Sequence, residues 1–161
     1  MTRIVLVLLC WLTLPAICEA GSFSKSVARQ YYQTDSCGPV ALTVACRIAG
    51  RIVTWEQVCE ATKFDGSPAS LLDLSRGATQ LGFKAQAYGC SVKQLKKIGG
   101  PGILDYPRGH FSVFLGWSPK GLIRVGDLKT GLVEVSSEDF QKTWGGHLLT
   151  LSTPPESRRN E

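Results

Sequence analysis

The sequence predicts an α+β fold in which N-terminal helices pack on a mostly antiparallel C-terminal sheet. Two observations predict this fold. Apolar residues recur at helical spacing in the first half of the chain, between residues 37 and 82. From Gly102 onward, short alternating segments are separated by turns rich in Gly, Pro and Asp, which is typical of meandering strands. Helices first and strands second indicate an α+β layout.

The first predicted helix begins at Cys37 and ends before Gly50. Its apolar residues form one stripe, at positions 40, 41, 44, 45 and 48. Pro39 suits a first helical turn, because the amide hydrogen that proline lacks would have no partner there. Cys37 is therefore placed at a helix N-terminus, where unpaired amides and the helix dipole favour negative charge and lower a thiol pKa. Cys37 is the candidate nucleophile.

The other predicted elements are assigned from caps and periodicity. The predicted helices cover residues 54–62, 70–81, a short stretch from 91, and 137–144; the predicted strands cover residues 83–88, 103–106, 110–117, 122–126, 132–135 and 147–151. Thr54 with Gln57 and Ser91 with Gln94 have the spacing of a capping box. The strands alternate and are separated by turn sequences.

The two ends of the chain are assigned separately from this domain. Residues 1–20 have a positive start at Arg3, a short apolar middle and a small final residue, which is typical of a signal peptide. We expect a single domain over residues 21–151 and a disordered tail over residues 152–161. The protein is accordingly expected to be exported, to the periplasm or outside the cell, or to be membrane-anchored if the signal is not cleaved.

Composition argues against several classes of function. The net charge is +5, but basic residues are scattered and no basic face with interleaved aromatic residues indicates nucleic-acid binding. A zinc site is not expected, since no Cys-x-x-Cys occurs and the two histidines lie far apart in the chain. No cofactor is expected. Four cysteines remain after signal removal: Cys46 is predicted to be a core residue, whereas Cys59 and Cys90 are either bridged or free.

His110 and Asp127 are the candidate base and orienting group. His110 begins one predicted strand and Asp127 ends the next, so a hairpin between the strands would bring both to one end of the sheet. A carboxylate in that position can orient an imidazole and support its charged form. Alone, Asp127 is a good turn residue and His147 is an ordinary surface histidine. The sequence therefore contains the three groups of a catalytic triad: a nucleophile in Cys37, a base in His110 and an orienting carboxylate in Asp127.

Three segments resemble the signature blocks of the bacteriocin-processing peptidases. They are Asp35 to Leu42 around the cysteine, Gly109 to Phe114 around the histidine, and Val125 to Gly131 around the aspartate. The similarity extends over nearly all of residues 30–151. These papain-like cysteine peptidases cut leader peptides after a double glycine, usually as the N-terminal domain of a membrane ABC exporter. The resemblance implies a papain-like fold, a Cys37–His110–Asp127 triad, a peptide or protein substrate, and a membrane transporter as a candidate partner of a monomeric protein.

The sequence departs from that family at the oxyanion donor. The family has glutamine six residues before the cysteine, where this chain has Tyr31; Gln30 is favoured as the substitute, with Gln33 as the alternative. Losing such a donor typically lowers turnover by about 10²–10³-fold. Two other hypotheses therefore stay open. One is a weakly active or inactive peptide-binding module of the same fold, and the other is an acyl transferase or deamidase that uses the same triad.

Overall fold

A computed structural model describes residues 36–154. Three predictions concern residues outside this range: the signal peptide, the role of Gln30, and residues 155–161 of the disordered tail. The helices are α1 (Cys37–Ile48), α2 (Trp55–Thr62), α3 (Leu71–Gln80), α4 (Val92–Ile98) and α5 (Ser137–Thr143). The strands are β1 (Lys84–Gly89), β2 (Gly102–Tyr106), β3 (His110–Trp117), β4 (Ile123–Asp127), β5 (Gly131–Val135) and β6 (His147–Ser152).

Local sequence explains where the helices begin and end. Thr54, Ser70 and Ser91 each form a capping box with the residue three positions on, so α2, α3 and α4 begin where their caps predict. Helix α1 ends at Ile48, and Gly50 follows with a φ of +89°, a value that glycine adopts without strain. The predicted helices of the N-terminal half are confirmed.

The six strands form one antiparallel sheet in the order β1-β6-β2-β3-β4-β5. The predicted α+β class is confirmed. One detail of the sheet differs from a simple meander. The last strand, β6, is not an edge strand but lies between β1 and β2, the two strands that α4 connects.

Side chains on the two faces of the sheet belong to two separate hydrophobic clusters. The helix-side cluster joins α1, α2 and α3 to residues such as Ile103, Phe111 and Leu149. The opposite cluster joins α4 and α5 to residues such as Leu104 and Phe114. The sheet is therefore the middle of three layers. In residues 36–154 no helix is both long and apolar enough to cross a membrane.

Candidate active site

Cys37 is the first residue of α1, as the sequence predicts. The first helical hydrogen bond runs from the amide of Val40 to the carbonyl of Ser36, at 3.0 Å. Close packing holds this helix end in place: a Cβ atom on Gly38 would lie 3.3 Å from side-chain atoms of Ala69, Leu74 and Phe111. Glycine thus lets the helix start approach both the sheet and the loop before α3. The sulfur atom is held at a rigid point between them.

The sulfur of Cys37 lies against the turn between β2 and β3. Its Sγ atom is 3.7 Å from the carbonyl oxygen of Gly109, to which the neutral thiol donates. The amides of Phe111 and Gly38 and the ring of His110 favour the thiolate form of the sulfur and lower its pKa. The nucleophile therefore has an acceptor for its protonated form and several donors for its charged form.

His110 and Asp127 are brought together by the hairpin of β3 and β4. The two strands are antiparallel, with Val113 opposite Gly126, so the first residue of β3 and the last of β4 meet at one end. His110 Nε2 lies 2.5 Å from Asp127 Oδ2. Because Nε2 is engaged in this way, Nδ1 is the ring nitrogen left to exchange a proton with Cys37.

Asp127 is held by the turn that follows it. Its Oδ1 atom accepts hydrogen bonds from the amides of Lys129 at 2.8 Å and Thr130 at 3.0 Å. The Thr130 hydroxyl donates to the same oxygen at 3.3 Å. The carboxylate is buried, and one oxygen ties the turn while the other binds the imidazole. Its orientation toward His110 is therefore set by the backbone.

The electrostatics of the three groups favour a thiolate and an imidazolium. Burial alone would raise the pKa of Cys37, but hydrogen bonds from His110 and from the Phe111 and Gly38 amides bring it below its ordinary value. The hydrogen bonds with Asp127 and Cys37 outweigh burial and raise the pKa of His110 to about 9. Burial is likewise outweighed at Asp127, where His110 and the Thr130 and Lys129 amides lower the pKa to about 2. Cys37 and His110 can thus form an ion pair at neutral pH.

An open depression borders the imidazole and the carboxylate on the face of the sheet opposite α1. Its volume is about 350 Å³. The wall is mostly apolar and comes from β4, β5 and α5, with Tyr106 at the side near His110; the rings of Tyr106 and His110 lie 5.9 Å apart. On the side of Cys37, helix α1 packs closely on β3 and β4 around a gap of only about 10 Å³.

The remaining candidates have other surroundings. Within residues 36–154 the four cysteines, Cys37, Cys46, Cys59 and Cys90, are free thiols. Cys46 is buried in the core, as predicted, and burial raises its pKa to about 12. Burial also raises the pKa values of Cys59 and Cys90. The described part of the chain contains no cluster of His, Cys, Asp and Glu that could hold a metal ion.

Sequence reasoning missed two participants in this site: Tyr106 packs beside His110, and Thr130 supports Asp127. It also missed a contact elsewhere on the sheet, where Asp105 Oδ2 lies 3.8 Å from His147 Nδ1. The Asp-x-x-Thr spacing of the turn after β4 could have indicated Thr130. The pairing of Asp105 with His147 depends on the position of β6, which the sequence pattern does not reveal.

Comparisons with known proteins bear on the family and the fold of the chain. The model of the Peptidase C39 family matches residues 24–156. A solved double glycine motif protease from an AMS/PCAT transporter, in complex with the leader peptide, is 25% identical with a TM-score of 0.68, covering 76% of this chain and 87% of that chain. The peptidase domain of Streptococcus ComA, a bifunctional ABC transporter involved in a quorum-sensing pathway, is 22% identical with a TM-score of 0.66, covering 74% and 93%. An uncharacterized protein of Methanothermobacter thermautotrophicus is 23% identical over 83% of this chain and 93% of its own length.

Proposed function

The chain belongs to the Peptidase C39 family, and on that premise we propose that it hydrolyses peptides through Cys37, His110 and Asp127. The observation that carries the proposal is the contact of His110 Nε2 with Asp127 Oδ2 at 2.5 Å, beside a cysteine whose pKa is lowered. A nucleophile, a base and an orienting carboxylate within reach of one another are the parts that covalent peptide hydrolysis needs.

The proposed reaction has two steps. In the first, Cys37 Sγ attacks the peptide carbonyl carbon, and His110 gives its Nδ1 proton to the leaving amine as the C–N bond breaks. A thioester remains on Cys37. In the second step, His110 takes a proton from water and the resulting hydroxide attacks the thioester carbonyl carbon. The C–S bond then breaks, which releases the carboxyl product and restores the Cys37 thiolate beside protonated His110. In this proposal the Cys37 amide, at the N-terminus of α1, donates to the oxyanion, with Gln30 as the second donor that the sequence suggests.

The proposed substrate is a peptide with glycines before the cleaved bond. Support comes from the similarity to a double glycine motif protease. The similar structures are domains of transporters, so an exporter is the partner we propose.

One sequence feature favours a second candidate function. The family glutamine six residues before the cysteine is replaced by Tyr31, and a site without its second oxyanion donor can bind a peptide that it cuts slowly. A peptide-binding module is therefore the alternative.

The first test measures the reactivity of the thiols. At mildly acidic pH, a thiol alkylator should modify Cys37 well before Cys46, Cys59 and Cys90, because burial raises the pKa values of the other three. Peptide mapping by mass spectrometry gives the rate at each cysteine. Equal rates at Cys37 and Cys46 would contradict an activated nucleophile.

The second part of the test measures cleavage. The full chain should split a Gly-Gly peptide into two fragments, and Cys37→Ala should not, while Cys59→Ala serves as the matched control. Rapid alkylation of Cys37 without cleavage of any glycine-containing peptide would favour the binding module. A mass change in an unsplit peptide would indicate deamidation or acyl transfer instead.

A further inference from the structure

The imidazole of His110 must keep one orientation for the proposed reaction. Its Nε2 atom lies 2.5 Å from Asp127 Oδ2, and Nδ1 is the nitrogen that exchanges a proton with Cys37. The torsion about the Cβ–Cγ bond of a histidine is soft, and a rotation about it would weaken both contacts together. The side chain of His110 retains 30% of its exposure, so burial alone does not prevent that rotation. A group packed beside the ring is needed to hold it.

Tyr106 is the aromatic neighbour of His110 across the hairpin of β2 and β3. The two residues are paired in the register of these strands, so their side chains point to the same face of the sheet. Their ring centroids are 5.9 Å apart, and the planes of the two rings are inclined at 47°. This separation lies within the range of about 4.5–7 Å at which aromatic rings attract each other. Tyr106 therefore packs directly beside the catalytic base.

Helix α5 fixes the position of Tyr106. Phe140 contacts Tyr106 edge to face, with ring centroids 6.4 Å apart and planes at 83°. Phe140 is 1% exposed, and its ring packs on that of Trp144 with a centroid distance of 5.0 Å. The indole of Trp144 donates from Nε1 to the carbonyl of His147 at 2.9 Å, which joins α5 to β6. Three packed rings thus connect the buried core to the imidazole of His110.

The charged and titratable groups that face His110 are Asp127 from β4, Cys37 from α1 and Tyr106 from β2. Tyr106 borders the same depression as His110 and Asp127. Burial, supported by the charge of Asp127, raises the pKa of the Tyr106 phenol despite the nearby Ser112 hydroxyl. The phenol is therefore neutral at any pH at which the imidazolium exists. Tyr106 acts on His110 by packing and leaves the charge of the pair to Asp127.

We propose that Tyr106 is a positioning residue for His110: its ring, fixed by Phe140, packs on the imidazole and keeps Nε2 on Asp127 and Nδ1 toward Cys37. This inference rests on the proposed peptidase function and adds a residue that acts through the base. Without the ring, the imidazole can turn, and both hydrogen bonds that raise its pKa weaken together. A displaced base should lower kcat more than it changes KM, because proton transfer belongs to the chemical steps.

The first test follows the titration of His110 by NMR in the full chain. The chain has two histidines, so His110→Gln identifies the His110 signal and His147 serves as the internal reference. In the wild type the pKa of His110 is raised to about 9. Tyr106→Leu should lower it by about one unit or more toward 6.5, whereas Tyr106→Phe, which keeps the ring, should leave it near 9. An unchanged pKa of His110 in Tyr106→Leu would overturn the proposal.

The second test measures cleavage of a Gly-Gly peptide. Tyr106→Leu should lower kcat by about 10²-fold with little change in KM, the effect of a small misplacement of a catalytic group. Tyr106→Phe should retain the wild-type kcat and so rescue the loss. Equal losses in Tyr106→Leu and Tyr106→Phe would mean that the hydroxyl and not the ring is required, and would overturn the proposal.

Tyr88→Leu is the matched control variant. Tyr88 is a partly buried tyrosine that packs against the same hydrophobic cluster as Tyr106, but it lies on β1, two strands from β2. The variant removes a similar amount of packing and should leave kcat and the pKa of His110 at their wild-type values. If Tyr88→Leu lowered the pKa of His110 as much as Tyr106→Leu does, the effect would be a general loss of packing and the specific contact would be refuted.

The titration separates this inference from the peptidase function, because it needs no substrate. A lowered pKa of His110 in Tyr106→Leu, combined with a wild type that cleaves no peptide, would support the positioning contact and count against the peptidase function. If Tyr106→Leu does not fold, the wild type supplies the test. Nuclear Overhauser effects should then join the ring protons of Tyr106 and His110, and their absence would overturn the proposal.

Discussion

Asp127 uses its two carboxylate oxygens for two different purposes. Oδ2 binds the imidazole of His110, whereas Oδ1 accepts from the amides of the following turn. Asp127 therefore both stabilises the turn and orients His110. The two interpretations of Asp127 that the sequence allows are compatible. The turn supplies the rigidity that an orienting group needs.

The substitution Asp127→Asn tests the orienting function. Asparagine can accept the same turn hydrogen bonds at Oδ1, but it cannot stabilise the imidazolium of His110 with a negative charge. We expect kcat/KM to fall by about 10²–10⁴-fold, and the alkylation rate of Cys37 at mildly acidic pH to fall with it. Steady-state kinetics and peptide mapping measure the two effects.

The matched control for this variant is Asp65→Asn, in the exposed turn where Asp65 accepts from the amide of Ser67 at 2.9 Å. Asp65→Asn should leave both rates unchanged. A wild-type rate in Asp127→Asn would mean that Asp127 serves the turn alone.

At the scale of secondary-structure elements, the site depends on how the three N-terminal helices pack. Gly38 allows α1 to approach the sheet and the loop before α3, and Gly77 allows α3 to approach α2. A Cβ atom on Gly77 would lie 2.6 Å from Thr62 Cγ2 and 3.3 Å from the Thr62 amide nitrogen. Because Gly38 and Gly77 have no side chains, α1 can pack closely on the sheet and α3 can pack closely on α2.

The substitution Gly77→Ala should destabilise the protein although alanine favours helices. The gain in helix propensity is about 1 kcal/mol. Overpacking against Thr62 costs about 1–3 kcal/mol, so we expect the free energy of unfolding to fall by up to about 2 kcal/mol. Urea denaturation measures the loss. Gln80→Ala, at the exposed end of the same helix, is the control and should change stability little; a more stable Gly77→Ala protein would contradict the close packing of α2 and α3.

For the whole molecule, the His110–Asp127 pair links folding to pH. The pKa of His110 is raised to about 9, so its contribution to stability is fully present below its unfolded value of 6.5 and is lost as pH rises through about 9. The pKa of Asp127 is lowered to about 2, so its contribution is present above 3.8 and is lost as pH falls through about 2. Both contributions are fully present between about pH 4 and 6.5.

A comparison of wild type with His110→Gln should show this window. The difference in the free energy of unfolding should be largest near pH 5 and should shrink as pH rises toward 9 and above, because the wild-type imidazole then loses its charge. Urea denaturation at several pH values measures the difference. A difference that grows with rising pH would contradict the raised pKa of His110.

Much of the fold is visible in the sequence because its signals are local. Capping boxes at Thr54, Ser70 and Ser91 mark helix starts, and glycine turns separate the strands. The juxtaposition of His110 with Asp127 was also predictable, since both belong to one hairpin whose short turn leaves little freedom in pairing. The chemistry of the site follows from these local features and from the start of α1 at Cys37.

Other features depended on contacts between segments that are distant in the chain. The insertion of β6 between β1 and β2 brings His147 opposite Asp105, and no local pattern in either strand specifies that partner. The pKa values of Cys37 and His110 likewise depend on burial and on hydrogen bonds that exist only in the assembled fold. The sequence by itself determined which residues can do chemistry; tertiary structure decided which of them meet, because strand order and desolvation are properties of the whole packed chain.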